Sequence, residues 1–400
     1  MNFDNLEFGG TYSETTAIRH VLSFHGATAA YNQQPLTEAM LFGVSGGIGF
    51  AYFNFEYDGY EPTLYIGVAQ RYTTRFGQYM DGLYRRLGLE TNVRMTRSAQ
   101  LAETNLNGDL AQGSPVIIHV DRGKLPYYAE DTEYADHALV VFAYDEKSRN
   151  FLVADQARSP ITISPSDLSS ARESIDSLSF RSLILAAPNG PINLVEGINR
   201  GIRQCWDRML NPPHPRNNFG LLGLEKWAGL INSSKARKGW LKVFAPGVNL
   251  YVGLQWTYKC IQTQETGGGA LRGMYADFLD EASEVVGKPR LKELAERYRD
   301  LERHWSALAE ATLPEDVSLL RRTRELIYRT EHSFLDNGMD AIPEMDGIRT
   351  EQAALHEEAI NDFPLDKSQS QALLDDLHDR LTVIFEAEQE ATEILKTALS

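Results

Sequence analysis

Sulfur, basic charge and long apolar runs are all scarce in this sequence. Only two of the 400 residues are cysteines, Cys205 and Cys260. That excludes a disulfide framework, and both thiols read as packed side chains within helical stretches. Nowhere do about 20 apolar residues follow one another, the length a membrane span requires. The opening stretch, Met1 to Glu7, lacks a basic region followed by an apolar run, so the expectation is a cytoplasmic protein that does not enter a membrane. Lysine and arginine number 39 against 55 acidic residues, a net charge of -16. Such a surface repels a phosphate backbone and excludes nucleic acid as a partner. Metal-ligand spacing is missing too. His20 and His25 lie five apart on a predicted helix, off the shared-face spacing, with no cysteine or carboxylate cluster to complete them, so neither a metal nor another cofactor is expected.

What is present describes a folded chain. Apolar residues make up 42% and charged residues 24%, close to globular averages, and the length exceeds one ordinary hydrophobic core. From Ser13 to His25, Ala17, Ile18, Val21, Leu22 and Phe24 share one side of a predicted helix that Gly26 stops, with Ser13 or Thr11 as its cap. LTEAML continues as helix into the glycine-rich FGVSGGIG, and FAYFNFEY alternates as a strand. Helices are predicted over 73–88 and 98–111, then strands over 115–121, 137–145 and 150–156, the last two joined as a hairpin. SLILAA forms one more strand. Helices first and strands later is the order of an α+β domain, which excludes most nucleotide-binding folds. Past PNGPIN the pattern turns helical throughout, placing a domain boundary near residue 190. The expected domains are thus 1–189, α+β, and 190–400, all helical.

The hairpin carries the first chemical expectation. If Tyr144 faces Asn150, Asp155 stands opposite Leu139, and His137 is its diagonal neighbour on the same face. Diagonal pairs sit about 7–8 Å apart, close enough for an imidazole and a carboxylate to meet; a one-residue slip would separate them. An aspartate that orients a histidine equips it to take a proton from a nucleophile. Ser13, at a helix start where backbone N–H groups stabilise a developing anion, is the candidate, and it reads equally as a plain N-cap. His137 and Asp155 have plain readings too, as a histidine bonded to a carbonyl and as a turn residue. Gly43-Val44-Ser45-Gly46-Gly47 also fits G-x-S-x-G, but a nucleophile elbow needs a strand before and a helix after, and here the order is reversed. Gly46 and Gly47 read instead as a tight turn that brings backbone close to the site or to the nearby helix. Tyr127 and Tyr128 line the substrate cleft or simply pack.

Several strings strengthen the first set of readings: SETTAIR from Ser13, EAMLFG from Glu38, GGIGF from Gly46, PVII from Pro115, LPYY from Leu125 and HALVV from His137. They resemble the amino-terminal domain of the butirosin biosynthesis protein H family. GGGALRGMYADFLDEA at 267–282 and RYRDLERHWSALAE at 297–310 resemble the helical domain that commonly follows it. The resemblance implies a papain-like fold, an amino-terminal helix packed on an antiparallel sheet, and transfer of an acyl group from a carrier-protein thioester to an amine. It implies His137 as base and Asp155 as its orienter; the residues expected around the substrates are Tyr12, Gly46, Gly47, Tyr127, Tyr128 and Arg71. An acyl carrier protein, itself acidic, would be received by the basic patch of Arg71, Arg75, Arg85 and Arg86. The helical domain would supply a lid or an acceptor pocket. The family's usual nucleophile is a cysteine preceded by histidine, and this chain has Tyr12-Ser13. Three readings follow: a serine acyltransferase, a non-catalytic binder of acyl carriers, or a Cys-to-Ser variant of a cysteine enzyme. A thioesterase or cyclase sharing the same acyl-enzyme is the alternative activity.

Overall fold

The structure is a computed structural model that describes residues 6–68, 80–128, 136–175, 179–213 and 216–399. Arg71 and Arg75, and the first part of the helix expected over 73–88, lie outside the described residues. The chain forms two compact units, one of residues 1–45, 74–197 and 332–345, the other of 46–73, 198–331 and 346–400.

In the first unit, α1 (Ser13–Phe24) and α2 (Glu38–Ser45) precede the sheet. On α1, Ala17, Ile18, Val21 and Leu22 are buried, as a 3.6-residue period demands. Each large apolar side chain so buried contributes about 1.5–3 kcal/mol. α3 (Asp81–Leu87) ends at Gly88 in the left-handed conformation, where a side chain would be strained. The strands that follow are β3 (Thr91–Arg94), β4 (Val116–Asp121), β5 (Asp136–Asp145), β6 (Asn150–Ala154), β7 (Ile161–Ile163) and β8 (Ser182–Leu185). They form one sheet in the order β3-β8-β4-β5-β6-β7, every neighbour antiparallel. Two further helices belong here: α4 (Ala99–Ala111), capped by the Ser98 hydroxyl, and α5 (Pro165–Glu173), which starts with proline behind the Ser164 cap. The short strands β3 and β7 and the helix α5 have no counterpart among the sequence expectations.

One face of the sheet buries Val116, Ile118 and Val120 with Leu139, Val141, Phe151 and Val153. Leu106, Leu168 and a return segment from far along the chain, with Phe334, Ala341 and Met345, cover it. That segment, expected within the helical half, is thus part of the α+β unit. The other face carries Ile117, Ala138 and Val140, all buried. α1 packs against β4 and β5, and the Phe24 ring lies 5.8 Å from that of Phe142.

The β5–β6 hairpin differs from expectation in an instructive way. Tyr144 faces Phe151, not Asn150, and Asp145 faces Asn150. Carried straight along the ladder, that one-residue shift would turn Asp155 away from His137. A bulge between Val141 and Ala143 takes up the extra residue and restores the pairing Val140 with Ala154. Asp155, next after Ala154, then stands opposite Leu139.

The second unit opens with an antiparallel pair, β1 (Ala51–Phe55) and β2 (Thr63–Gly67). The helices α6 (Val195–Leu210) from Ile198 on, α7 (Gly220–Ile231), α8 (Val248–Gln262), α9 (Arg272–Val286), α10 (Arg290–Thr312), α11 (Ser318–Asn337) up to Glu331, α12 (Ile342–Asn361) from Asp346 on and α13 (Lys367–Thr397) make up most of the rest. Phe50 and Tyr52 enter this unit by stacking on Trp227, at 6.2 and 5.8 Å between ring centroids. Glu388 is buried, accepting from Arg272 Nε at 2.7 Å and from Trp305 Nε1 at 2.8 Å. Among the described residues no helix is long and apolar enough to cross a membrane.

Phe334 stacks on Tyr127 with ring centroids 5.3 Å apart and touches Tyr128 at 4.5 Å. Replacing it with alanine leaves a cavity beside both rings. Phe334→Ala is expected to lower unfolding free energy by about 3–5 kcal/mol, measured by urea denaturation, a large cost for a residue so distant in sequence from the sheet it covers.

Candidate active site

The order of the β5–β6 hairpin places His137 and Asp155 on one face, and their side chains meet: His137 Nε2 lies 2.6 Å from Asp155 Oδ1. Both are buried. Asp155 Oδ2 accepts the Tyr127 hydroxyl at 3.0 Å, and Oδ1 also accepts the Gln156 backbone N–H at 2.7 Å. A buried carboxylate surrounded by donors is held in one orientation. With Asp155 ionised, Nε2 carries the imidazole proton, and exchange with a nucleophile falls to Nδ1. Burial, with the Asp155 carboxylate beside it, pushes the Tyr127 phenol well above its ordinary pKa, so Tyr127 stays a donor.

Ser13 is the first residue of α1, and Tyr12 is the N-cap, with no side-chain cap bond. The cap expected from Ser13 or Thr11 is therefore not made. A carboxylate from the start of α2 satisfies the lead-in instead. Glu38 accepts the backbone N–H of Thr11 at 3.0 Å and of Tyr12 at 2.8 Å, and the hydroxyls of Thr15 and Thr16 at 3.1 and 3.0 Å. From the other side, Gln156 Nε2 donates to the Thr11 carbonyl, while its Oε1 accepts the Tyr128 hydroxyl at 2.9 Å. Gly10 permits this approach, since a Cβ there would collide with the Thr16 side chain.

Not every residue expected around the substrates lies there to touch one. Tyr127 and Tyr128 are buried and bond to Asp155 and Gln156, and the Tyr128 ring centroid is 5.5 Å from that of His137. Through these bonds they hold Asp155 and Gln156 in place. Tyr12 is buried with its ring edge toward Phe42, 5.8 Å between centroids. Gly46 and Gly47 belong to the helical unit, Gly46 against Gln204 and Gly47, at φ 61°, against the Tyr275 ring where a Cβ would collide. Their glycine character follows from that packing. Ser45 ends α2 and donates its hydroxyl to the Phe42 carbonyl at 2.7 Å, as a helical residue and not as an elbow. Of the basic patch, Arg86 Nη1 donates to the Val44 carbonyl at 2.6 Å.

A second buried group has little signal in the sequence. On β4, His119 Nδ1 lies 3.1 Å from Asp136 Oδ1 and 3.9 Å from Glu14 Oε1, and Arg181 Nη1 lies 3.1 Å from His119 Nε2. Burial opposes charge on this ring, but the Asp136 and Glu14 carboxylates outweigh it and raise its pKa. Glu14, His119 and Asp136 bring three ligand-type atoms within 4.8 Å of one another. With Arg181 donating to Nε2 and Nδ1 directed at Asp136, neither ring nitrogen is left open to a metal, and the cluster reads as a charge network. Its one sequence signal was a histidine at a buried position of the apolar strand PVIIHVD.

His20, on α1, is fully buried; its Nε2 bonds the Gly9 carbonyl at 3.1 Å. Burial, with Arg19 next to it, lowers its pKa to about 3. The unfolded chain, with an ordinary histidine pKa of about 6.5, binds this proton first as pH falls, so the stability His20 leaves intact above pH 6.5 is lost between pH 6.5 and 3. The expected slope is about 1.4 kcal/mol per pH unit. Urea denaturation at pH 6.5 and 4.5 should show this loss in the wild type and a shallower one in His20→Leu.

A family model described as butirosin biosynthesis protein H, N-terminal, matches residues 13–156, and one described as a domain of unknown function matches residues 166–318. No curated protein matches the chain at the level expected of a relative. The first match runs from Ser13 through His137 and Asp155 to Gln156. The two matches, in this order, give the chain the domain architecture of the butirosin biosynthesis protein H family.

Proposed function

We propose that this protein is an acyltransferase of butirosin-type biosynthesis, with a papain-like first domain, that moves an acyl group from a carrier-protein thioester to an amine through an ester on Ser13. The observation that carries this reading is the buried 2.6 Å pair of His137 and Asp155 on the strand against which α1, the helix that Ser13 begins, is packed. As the Ser13 hydroxyl oxygen attacks the thioester carbonyl, its proton passes to His137 Nδ1. The backbone N–H groups of the first turn of α1 face the developing oxyanion. Collapse breaks the C–S bond, and the leaving thiol takes the proton from His137. An amine then attacks the ester, loses its proton to the same nitrogen, and the proton returns to the serine oxygen. Asp155 stabilises the imidazolium in both halves.

The burial of Ser13, His137 and Asp155 favours transfer over hydrolysis, since a dry site protects the ester from water. The donor is the phosphopantetheine-bound acyl chain of a carrier protein, the acceptor a small amine, and the setting the cytoplasm. No cofactor is required by this chemistry.

Intact-mass analysis after incubation with a series of acyl thioesters tests the assignment. The wild type should gain one acyl mass, and Ser13→Ala and His137→Ala should not, the latter through an acylation rate lower by about 10²–10⁴-fold. Ser13→Cys should acylate faster than the wild type, because a thiol gives up its proton far more readily. An adduct that survives Ser13→Ala would overturn the nucleophile, and no adduct with any donor would leave a carrier-binding protein. Added amines then separate transfer from hydrolysis or cyclising release.

A further inference from the structure

We infer that Glu38 is a positioning residue for Ser13: its carboxylate clamps the Thr11–Tyr12 backbone so that the first turn of α1 presents the nucleophile in one orientation. The inference rests on the reading of Ser13 as nucleophile and adds to it a residue that does not touch the reacting atoms.

Four donors converge on this one side chain, the N–H groups of Thr11 and Tyr12 and the hydroxyls of Thr15 and Thr16, at 2.8–3.1 Å. Two stand before Ser13 in sequence and two after it, so the serine is bracketed on both sides by the same carboxylate. The Thr15 hydroxyl also reaches the Tyr12 carbonyl at 3.1 Å, closing the turn around Ser13. A plain N-cap would need only one such bond, and it would come from the residue at the cap itself. Here the cap position is Tyr12, whose side chain makes none, and the partner comes from another helix, 26 residues away along the chain.

Electrostatics alone would not put an anion there. A carboxylate beside a helix amino terminus offsets the partial positive charge that favours an oxyanion. If charge dominated, removing it would speed acylation. If geometry dominates, removing it lets the Tyr12–Ser13 peptide swing, and a misplacement on the order of 1 Å costs as much as about 100-fold in rate. The clamp therefore predicts that Glu38→Gln, which keeps the shape but turns a donor toward groups that need an acceptor, slows acylation.

The test uses butyryl-N-acetylcysteamine as acyl donor and the full chain. In Glu38→Gln the acylation rate constant at saturating donor should fall about ten- to a hundredfold, with the half-saturating donor concentration changed by less than about twofold. The backbone amides of Thr11 and Tyr12, followed by hydrogen exchange and mass spectrometry, should exchange at least about tenfold faster. Thr16→Val, which removes one of the four donors and guards against a misfolded Glu38→Gln, should show a smaller loss in the same direction, and Thr16→Ser should restore the rate. Faster acylation, or an unchanged rate beside altered exchange, would overturn the positioning role. Unchanged exchange would overturn the clamp itself. A wild type that takes up no acyl group would overturn the reading of Ser13, while amide exchange would still decide whether Glu38 holds the turn.

Discussion

The contact between His137 and Asp155 depends on one extra residue in β5. The pairing steps from Val141 with Val153 to Ala143 with Leu152, and the bulge at Phe142 shifts the register between the turn and the site ends of the hairpin. Without it the pleat would carry the histidine and the aspartate to opposite faces, and no side-chain rotation recovers a pair lost that way. The bulge is itself held: Phe142 is buried and its ring meets Phe24 of α1. Packing between helix and sheet thus stabilises the register on which the polar pair relies.

Around that pair, polar groups hold one another in a chain. Tyr127 and the Gln156 amide donate to Asp155, Tyr128 donates to Gln156, and Gln156 reaches the Thr11 carbonyl. The chain of bonds runs from the orienting carboxylate to the backbone leading into Ser13. Inside a protein such a network stays favourable only when its members are satisfied, because each buried donor or acceptor left alone costs about 1–3 kcal/mol. Phe334 closes it on the apolar side by packing on both tyrosine rings. A hydrophobic contact from a distant segment therefore sets the position of two phenols, and these set a carboxylate and an amide.

What the sequence revealed and what it hid divide along the range of the interactions. α1 was legible because its apolar positions repeat at helical spacing, and β4, β5 and β6 because their apolar runs are bounded by turn residues. His137 and Asp155 were legible because a hairpin relates residues by counting. The count at the turn is off by one, and the two side chains meet nonetheless because the bulge, invisible in sequence, cancels the error. Phe334 could not be placed, since its segment has the same helical pattern as its neighbours whichever core it covers. Gly46 and Gly47 read as site backbone only because a glycine turn does not say which surface it approaches, here Tyr275 and Gln204. Glu38 looked like any acidic residue at a helix start, and its four donors come together only in three dimensions.

On the proposed reaction, serine in place of cysteine changes what these supports must do. A thiol beside an imidazole can rest as an ion pair before substrate arrives, so a cysteine site tolerates some looseness in its base. A hydroxyl loses its proton only as the new bond forms, and the imidazolium must be stabilised at that moment. An orienting carboxylate that is buried and fixed by three donors is suited to that demand, because its attraction for the imidazolium is strongest where water is excluded. Two bracketing sets of bonds on the nucleophile's turn serve the same end, since a weaker nucleophile gains more from being held at the angle of attack. On the proposed reaction, the density of hydrogen bonds around Asp155 and Thr11–Thr16 is what a serine would require of this scaffold.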